Sequence, residues 1–309
     1  MKILTIGLLF FHFLIANCQN THHQITALKL IKALPVEYSE PVEPSGLCFH
    51  NGNFYTVSDD HDQTIFISKI LEDKVILQPF IKFEAPPLKN IKKLDLEGIT
   101  SDQYGNFYLC SESACQILFV SHDGKDVHWV FESLKPYGQR KGLFQIKNAY
   151  LEGIAVEASD QFILCAERQP RGILNLNLNS NPVEVDVYNL NKSRWKLPEG
   201  RFPDFTGLFV ENKTIYVLER SASFISHLIF QGGSIEVSPI WSYAQIENSD
   251  EFRYTGTPFA SGEGLAMDDE NVYVILDNNG LSRYSNPEDT RPLLFIMERP
   301  KGNRGAINK

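Results

Sequence analysis

Five times along the chain a short half-polar stretch, a tight turn and a strongly apolar run follow one another. The apolar runs are residues 54–57, 107–110, 162–165, 215–218 and 272–276. They are near-continuous rather than alternating, which predicts strands buried on both faces. The turns before them are Asn51-Gly52, Gln103-Tyr104-Gly105, Ala158-Ser159-Asp160, Glu211-Asn212-Lys213 and Asp268-Asp269-Glu270. Asn-Gly between two apolar runs is a strong hairpin signal. Third strands are expected at 64–70, 116–120, 172–176, 224–230 and 281–284, and fourth strands at 75–80, 127–131, 183–187, 235–240 and 293–297. Ahead of the first unit, 25–34 reads as a single strand broken by Pro35 and Pro41.

Each unit opens on the same phrase, a residue followed by Gly and then Leu or Ile. The copies are Ser45-Gly46-Leu47, Glu97-Gly98-Ile99, Glu152-Gly153-Ile154, Thr206-Gly207-Leu208 and Glu263-Gly264-Leu265, with glycines 52, 55, 54 and 57 residues apart. About a dozen residues later comes an acid: Asp59, Glu112, Glu167, Glu219 or Asp277. An internal repeat of four antiparallel strands without helical periodicity predicts an all-β fold, a β-propeller of five blades, with six if 25–34 belongs to a divergent blade. A sandwich would not repeat, and a parallel β-helix repeats over far fewer residues.

In a propeller the residue before each glycine and the end of each second strand share one face. Glu97, Glu152 and Glu263 then crowd one small space, where like charges raise one another's pKa unless a cation or protons are shared. A hard cation with oxygen ligands resolves this, and calcium tolerates irregular carboxylate cages better than magnesium. Glu97, Glu152 and Glu263 are the metal candidates, and Asp277 with Asn278 and Asn279 offers further oxygens. Against this stands a purely structural glycine phrase with solvated glutamates.

Glu112 and Glu167 are the general-base candidates by position, and Arg168 and Arg220 the candidates for gripping an anionic substrate group. Blade-to-blade ion pairing is the other reading of those arginines. The turn Asp59-Asp60-His61-Asp62 reads as a solvated loop, with His61 a weak acid/base candidate. Basic residues in the linkers, among them Lys89, Lys92, Lys93, Lys135, Arg140, Lys141, Lys147, Lys192, Arg194, Lys196 and Arg201, would focus an anion on the same face. Linkers 133–150 and 243–262 are long enough to wall a pocket. No nucleophile elbow, phosphate loop, dinucleotide fingerprint or His-Glu-x-x-His helix is present.

Composition narrows the class. Hydrophobic residues make up 43% and charged residues 22%, a globular balance. A net charge of −9 excludes a general nucleic-acid binder. Residues 1–18 read as a signal segment: Lys2, then an apolar run to Ala16 too short to span a bilayer. Two readings stand for Cys18, a lipidated first residue after a relaxed lipoprotein signal or ordinary secretion with cleavage nearby. Asn17 departs from the usual small residue before such a cysteine. The expectation is an exported monomer, touching a membrane only through a lipid on Cys18. A polar linker 19–24 would precede the propeller at 25–300, and a disordered tail 301–309 would follow it. The four remaining cysteines suggest neither a disulfide framework nor zinc.

The phrases Pro44-Ser45-Gly46-Leu47 with Ser58-Asp59-Asp60, Leu96-Glu97-Gly98-Ile99, Leu151-Glu152-Gly153-Ile154, Val217-Leu218-Glu219-Arg220-Ser221 and Gly262-Glu263-Gly264-Leu265 with Leu276-Asp277-Asn278-Asn279 span about residues 43 to 280. With them the chain resembles the esterase-like or phytase-like β-propeller family and, more distantly, the SdiA-regulated envelope propellers. The resemblance implies an exported propeller and suggests calcium-dependent hydrolysis of a phosphoester or ester on a small anionic substrate. Lactonase-type calcium propellers also place an acid or Asn before the same glycine. A non-catalytic envelope propeller that binds a ligand or protein around a structural calcium is the alternative, since Ser45 and Thr206 interrupt the acidic ring.

Overall fold

A computed structural model describes residues 25–301 except 194, 198 and 257–260. The signal segment with Cys18, the polar linker, Arg194 and the tail from 302 lie outside the described residues.

The repeat units form the expected four-stranded sheets. The first contains β3 (Pro44–His50), β4 (Asn53–Ser58), β5 (Thr64–Ile70) and β6 (Val75–Lys82). The second contains β7 (Leu96–Ser101), β8 (Phe107–Ser111), β9 (Gln116–Val120) and β10 (Val127–Trp129), and the third β11 (Leu151–Ala158), β12 (Gln161–Ala166), β13 (Gly172–Asn177) and β14 (Glu184–Asn189). The fourth contains β15 (Gly207–Glu211), β16 (Thr214–Glu219), β17 (Phe224–Gln231) and β18 (Ser234–Ser242), with β1 (Thr26–Ala27) added parallel to β18.

The last unit departs from expectation. β19 (Gly262–Met267) and β20 (Asn271–Leu276) pair as expected, but no strand forms at 281–284. The third place is taken by β21 (Leu293–Glu298), and the fourth by β2 (Leu30–Glu37), which pairs antiparallel with β21. The reason lies in the stretch after β20. Asp289 binds both Arg283 and Arg291, and Arg291 reaches Glu37 of β2 at 2.5 Å, so the segment is held as an ion-paired loop. Pro35, expected to break the N-terminal strand, sits within it where the strand changes partners. Residues up to Pro35 pair with β21, while Val36 and Glu37 run parallel to β6. A residue without an N–H is tolerated at such a switch. This joins the first and last units into one eight-stranded sheet.

The apolar runs do bury both faces. Five hydrophobic clusters each lie between two cyclically neighbouring sheets, and the last of them joins Leu47, Phe54 and Phe66 to Tyr273, Ile275 and Leu294. The glycines of the repeated phrase explain its spacing. A Cβ on Gly46 would stand 2.9 Å from the Gly98 Cα, one on Gly98 3.0 Å from the Gly153 Cα, and one on Gly153 3.3 Å from the Gly207 Cα. One on Gly207 would stand 3.1 Å from the Leu265 nitrogen, and one on Gly264 2.5 Å from the Gly46 carbonyl carbon. The inner strands thus touch backbone to backbone around an axis. Cys110 and Cys165 fill equivalent grooves over Gly98 and Gly153, and the four described cysteines are buried and free.

Gly264→Ala should therefore cost about 3 kcal/mol in urea denaturation, as overpacking against backbone does. Gly207→Ala, with contacts no closer than 3.1 Å, should cost markedly less.

Candidate functional site

One backbone bond recurs at the axial face. The N–H of Glu112 donates to the Asp95 carbonyl (2.8 Å), that of Glu167 to Tyr150 (2.9 Å) and that of Asp277 to Ser261 (2.8 Å). Each acid at the end of a second strand is thereby pinned two residues ahead of a repeated glutamate. The result is a mouth of about 190 Å³ lined by Ser45, Glu97, Glu152 and Glu263 from the first ring and Asp59, Glu112, Glu167 and Asp277 from the second. Glu43, Asp95, Asn148, Asn279, Arg168 and Arg220 complete it.

Two positions leave the rings. Thr206 turns its hydroxyl to the Gly262 carbonyl at 2.7 Å, tying two inner strands together. Glu219 points away, into a buried pair with Arg171 at 2.5 Å and a hydrogen bond from Ser226. Here the chain enters a short 3-10 turn, Arg220–Ala222, and Arg220 takes the place at the mouth.

Carboxylate oxygens of Asp59, Asp95 and Glu97 lie within 4.8 Å of one another, as do those of Glu112, Glu152 and Glu167. Glu263 and Asp277 line the same mouth outside these two groups. Asp95 is not among the sequence candidates, yet it has a signal in the repeat, since three copies carry an acid (Glu43, Asp95, Asp204) two residues before the ring position. It stands two residues before Glu97 with a positive φ of 57°, a conformation Asp tolerates better than most residues. The turn 59–62 is not the solvated loop its composition suggested. Asp59 enters the mouth and binds Lys93 (3.3 Å), while Asp62 accepts the N–H groups of Leu94 (2.6 Å) and Asp95 (3.2 Å), so the turn organises the neighbouring linker. His61 stays on the rim, its Nε2 2.8 Å from the Pro41 carbonyl and its ring edge-on to Tyr38 and Phe66.

Arg220 is enclosed by carboxylates. Its guanidinium binds Glu167, Glu263 and, at 3.0 Å, Asp204, which also accepts the Ser221 N–H and hydroxyl. These partners come from three different parts of the ring, so the arginine is a bridge across it. Arg168 pairs with Glu167 and donates to the Asn148 carbonyl at 3.2 Å, yet remains about one third exposed at 34%.

Burial drives the electrostatics. It pushes the carboxyls of Glu97 and Glu152 well above the ordinary range, and the mutual repulsion of Glu97, Glu152 and Glu263 adds to it. Burial, reinforced by Asp95, raises Glu112 to about 7 against the opposing Tyr150 N–H. Asp277 is raised to about 7 by burial and by Glu263, and Glu43 to about 7 by burial and by Asp277. For Glu263, burial wins over the attraction of Arg220 and leaves it at about 6. Buried oxygens on Asp59 (Oδ1), Glu167 (Oε2) and Glu263 (Oε2) have no hydrogen-bond partner.

Beside the mouth lies a larger pocket of about 510 Å³ that shares Glu167, Arg168, Arg220, Glu263, Asp277 and Asn279 with it. Its own wall is Gly200, Phe202 and Asp204 of one linker, Ser261 of another, and Asn278 and Leu281 after β20. The expected pocket wall 243–262 contributes Ser261, with 257–260 outside the described residues, and linker 133–150 contributes Asn148 to the mouth. Among the basic linker residues, Lys93 stands at the rim between Asp59 and Asp95, Lys135 lies over Tyr150, and Arg201 donates to the Ser221 carbonyl.

A family model described as phytase-like, esterase-like activity of phytase, matches residues 44–280, more than half of the chain. Among curated proteins, none matches the sequence significantly. Among solved structures the chain is similar to a glutaminyl cyclase from Myxococcus xanthus, with TM-score 0.53 and 12% identity over 90% of this chain and 100% of that one. It is also similar to virginiamycin B lyase from Staphylococcus aureus, with TM-score 0.44 and 10% identity over 87% of this chain and 99% of that one. A PQQ-bound aldose sugar dehydrogenase from Streptomyces coelicolor gives TM-score 0.45 and 11% identity over 88% and 98%. The first likeness concerns the fold alone, which is all-β and β-propeller-like.

Two outcomes follow from the electrostatics. Carboxyls raised above their unfolded values favour the folded state while protonated; that contribution is complete below about pH 4 and is lost as pH rises to about 7. In chelator, the melting temperature should therefore fall across that window, and Glu97→Gln with Glu152→Gln should flatten the fall. Arg220→Met leaves three carboxylates without their cation and should cost about 3–5 kcal/mol in urea denaturation, with Arg220→Lys a partial rescue.

Proposed function

The chain belongs to the phytase-like family of esterase-like activity, and from that premise we propose that it is an exported, five-bladed, cation-dependent hydrolase of ester or phosphoester bonds. The observation that carries this reading is the group Asp59, Asp95 and Glu97, whose carboxylate oxygens lie within 4.8 Å of one another in the mouth, with Asp59 Oδ1 buried and without a partner. Bare buried carboxylates are costly, and a hard cation with oxygen ligands removes the cost. The donors are all oxygen and irregularly arranged, which suits calcium. Five blades are supported by the ring of five glycine contacts and the five inter-sheet clusters. Export rests on Lys2 and the apolar run that follows it.

In this assignment Glu97 with Asp59 and Asp95, and Glu152 beside them, hold the cation. When bound, it supplies Lewis-acid polarisation of the scissile carbonyl or phosphoryl oxygen. Glu112, raised to about 7, is poised to take a proton from the attacking water and return it to the leaving alcohol. Its Oε1 is fixed by the Tyr150 N–H at 2.8 Å. Glu167, held by Arg168 and Arg220, is the anchor for those arginines rather than the base. Arg168 keeps exposed donors for one anionic oxygen of the substrate, whereas Arg220 is the bridge of the ring.

A second reading is a non-catalytic propeller with a structural cation. It is favoured by one fact: among the described residues, no histidine lines the mouth.

Calcium should bind the purified protein, and hydrolysis of p-nitrophenyl acetate or p-nitrophenyl phosphate should stop with EDTA and return with calcium. Glu97→Gln with Glu152→Gln should lose both binding and turnover. Glu112→Gln should keep calcium and lower kcat by about 10²–10⁴-fold. Full turnover in the double variant overturns the hydrolase reading. A calcium-dependent melting temperature without turnover on ester, lactone or phosphate establishes the second reading.

A further inference from the structure

The side pocket differs in character from the mouth it joins. Phe202, on the linker between the third and fourth sheets, is 52% exposed, and it shares the pocket wall with Leu281. Asn278 is 2% exposed and cannot turn over. Its Nδ2 donates to the carbonyls of Leu281 (2.5 Å) and Thr290 (2.7 Å), so a flipped amide would set oxygen against two oxygens. Its Oδ1 is therefore a fixed acceptor, and it is buried without a partner. That oxygen has no accessible surface, so it lies beneath the wall; the open part of the pocket, about 510 Å³, presents Phe202 and Leu281 beside Arg168, a place for an apolar group next to the mouth.

Charge limits what else the ligand carries. Four carboxylates line the pocket, Glu167, Asp204, Glu263 and Asp277, against two guanidiniums. Arg220 is already matched by three of those carboxylates, which leaves Arg168 with exposed donors. A polyanion entering here would meet more repulsion than attraction even beside a divalent cation, whereas a single negative charge has one partner.

We infer that the side pocket is the specificity pocket for an aryl or similarly apolar group of an ester that carries at most one negative charge. Phe202 and Leu281 pack the group, and the excess of carboxylates on the wall excludes polyphosphorylated substrates. This rests on the hydrolase reading for its chemistry but not for its binding.

The experiment has two arms on the calcium-loaded protein. In the first, Phe202→Ala, an exposed linker position outside the mouth, should raise KM for p-nitrophenyl acetate about tenfold with kcat nearly unchanged, because it removes uniform binding. Methyl acetate should show no such change, and inositol hexakisphosphate should be neither hydrolysed nor a competitor. In the second, calorimetry should show p-nitroanisole, an aryl ether with no ester bond, binding about tenfold more weakly to Phe202→Ala than to the unsubstituted protein. Equal binding by both proteins, or preference for inositol hexakisphosphate over the aryl ester, overturns the pocket assignment. Turnover that ignores Phe202→Ala overturns it while sparing the hydrolase reading. Intact binding discrimination without turnover sinks the hydrolase reading and keeps the pocket as a binding site.

Discussion

The inner strands approach one another so closely that no Cβ fits between them, and this contact of glycine backbone on glycine backbone sets everything around it. The tightest place is the seam where the last unit meets the first, since a Cβ on Gly264 would lie 2.5 Å from the Gly46 carbonyl carbon. With the axis fixed at that radius, residues just before the glycines have no choice but to converge. Three of the five are glutamates, so a backbone requirement becomes an electrostatic one.

The molecule meets that second requirement unevenly. On one side Arg220 binds Glu167, Glu263 and Asp204 and holds charge from separate sheets together. On the other side, Asp59, Asp95 and Glu97 face one another with only Lys93 at the rim. The mouth is thus half neutralised by its own side chains and half left for a cation. The larger pocket opens on the Arg220 side, where Phe202 and Leu281 add apolar surface to a wall that still holds more carboxylates than guanidiniums.

Much of this was readable in the sequence, because a repeat writes its geometry several times. The apolar runs, the hairpins and the glycine phrase predicted the sheets, and position alone brought Glu97, Glu152, Glu263, Glu112, Glu167 and Asp277 to one face. What escaped lay outside the repeated phrase. Asp95 has acidic equivalents in Glu43 and Asp204, but it enters the mouth through a left-handed backbone turn that neither of them shares. Ion pairing was one of the two readings of Arg220, but its three partners, far apart in sequence, are not marked by its neighbourhood in the chain. The missing strand at 281–284 follows from Asp289 and its two arginines, an ion cluster that spacing does not register. Asn278 reads in the sequence as a further oxygen beside Asp277; in the fold its amide is turned inward and held by the carbonyls of Leu281 and Thr290.

The pairing of β2 with β21 puts the first long strand of the described chain beside the last. A chain leaving the ribosome N-terminus first must keep residues 30–35 unpaired until 293–298 exist, although Val36 and Glu37 can already join β6, so an early strand completes its pairing among the last. Loop-closure entropy makes such a pairing slow. Until it forms, the apolar edge of β21 has no neighbour, and the ring has an open seam. The interval between synthesis and closure is therefore the period in which the seam between the first and last units stands open to other strands.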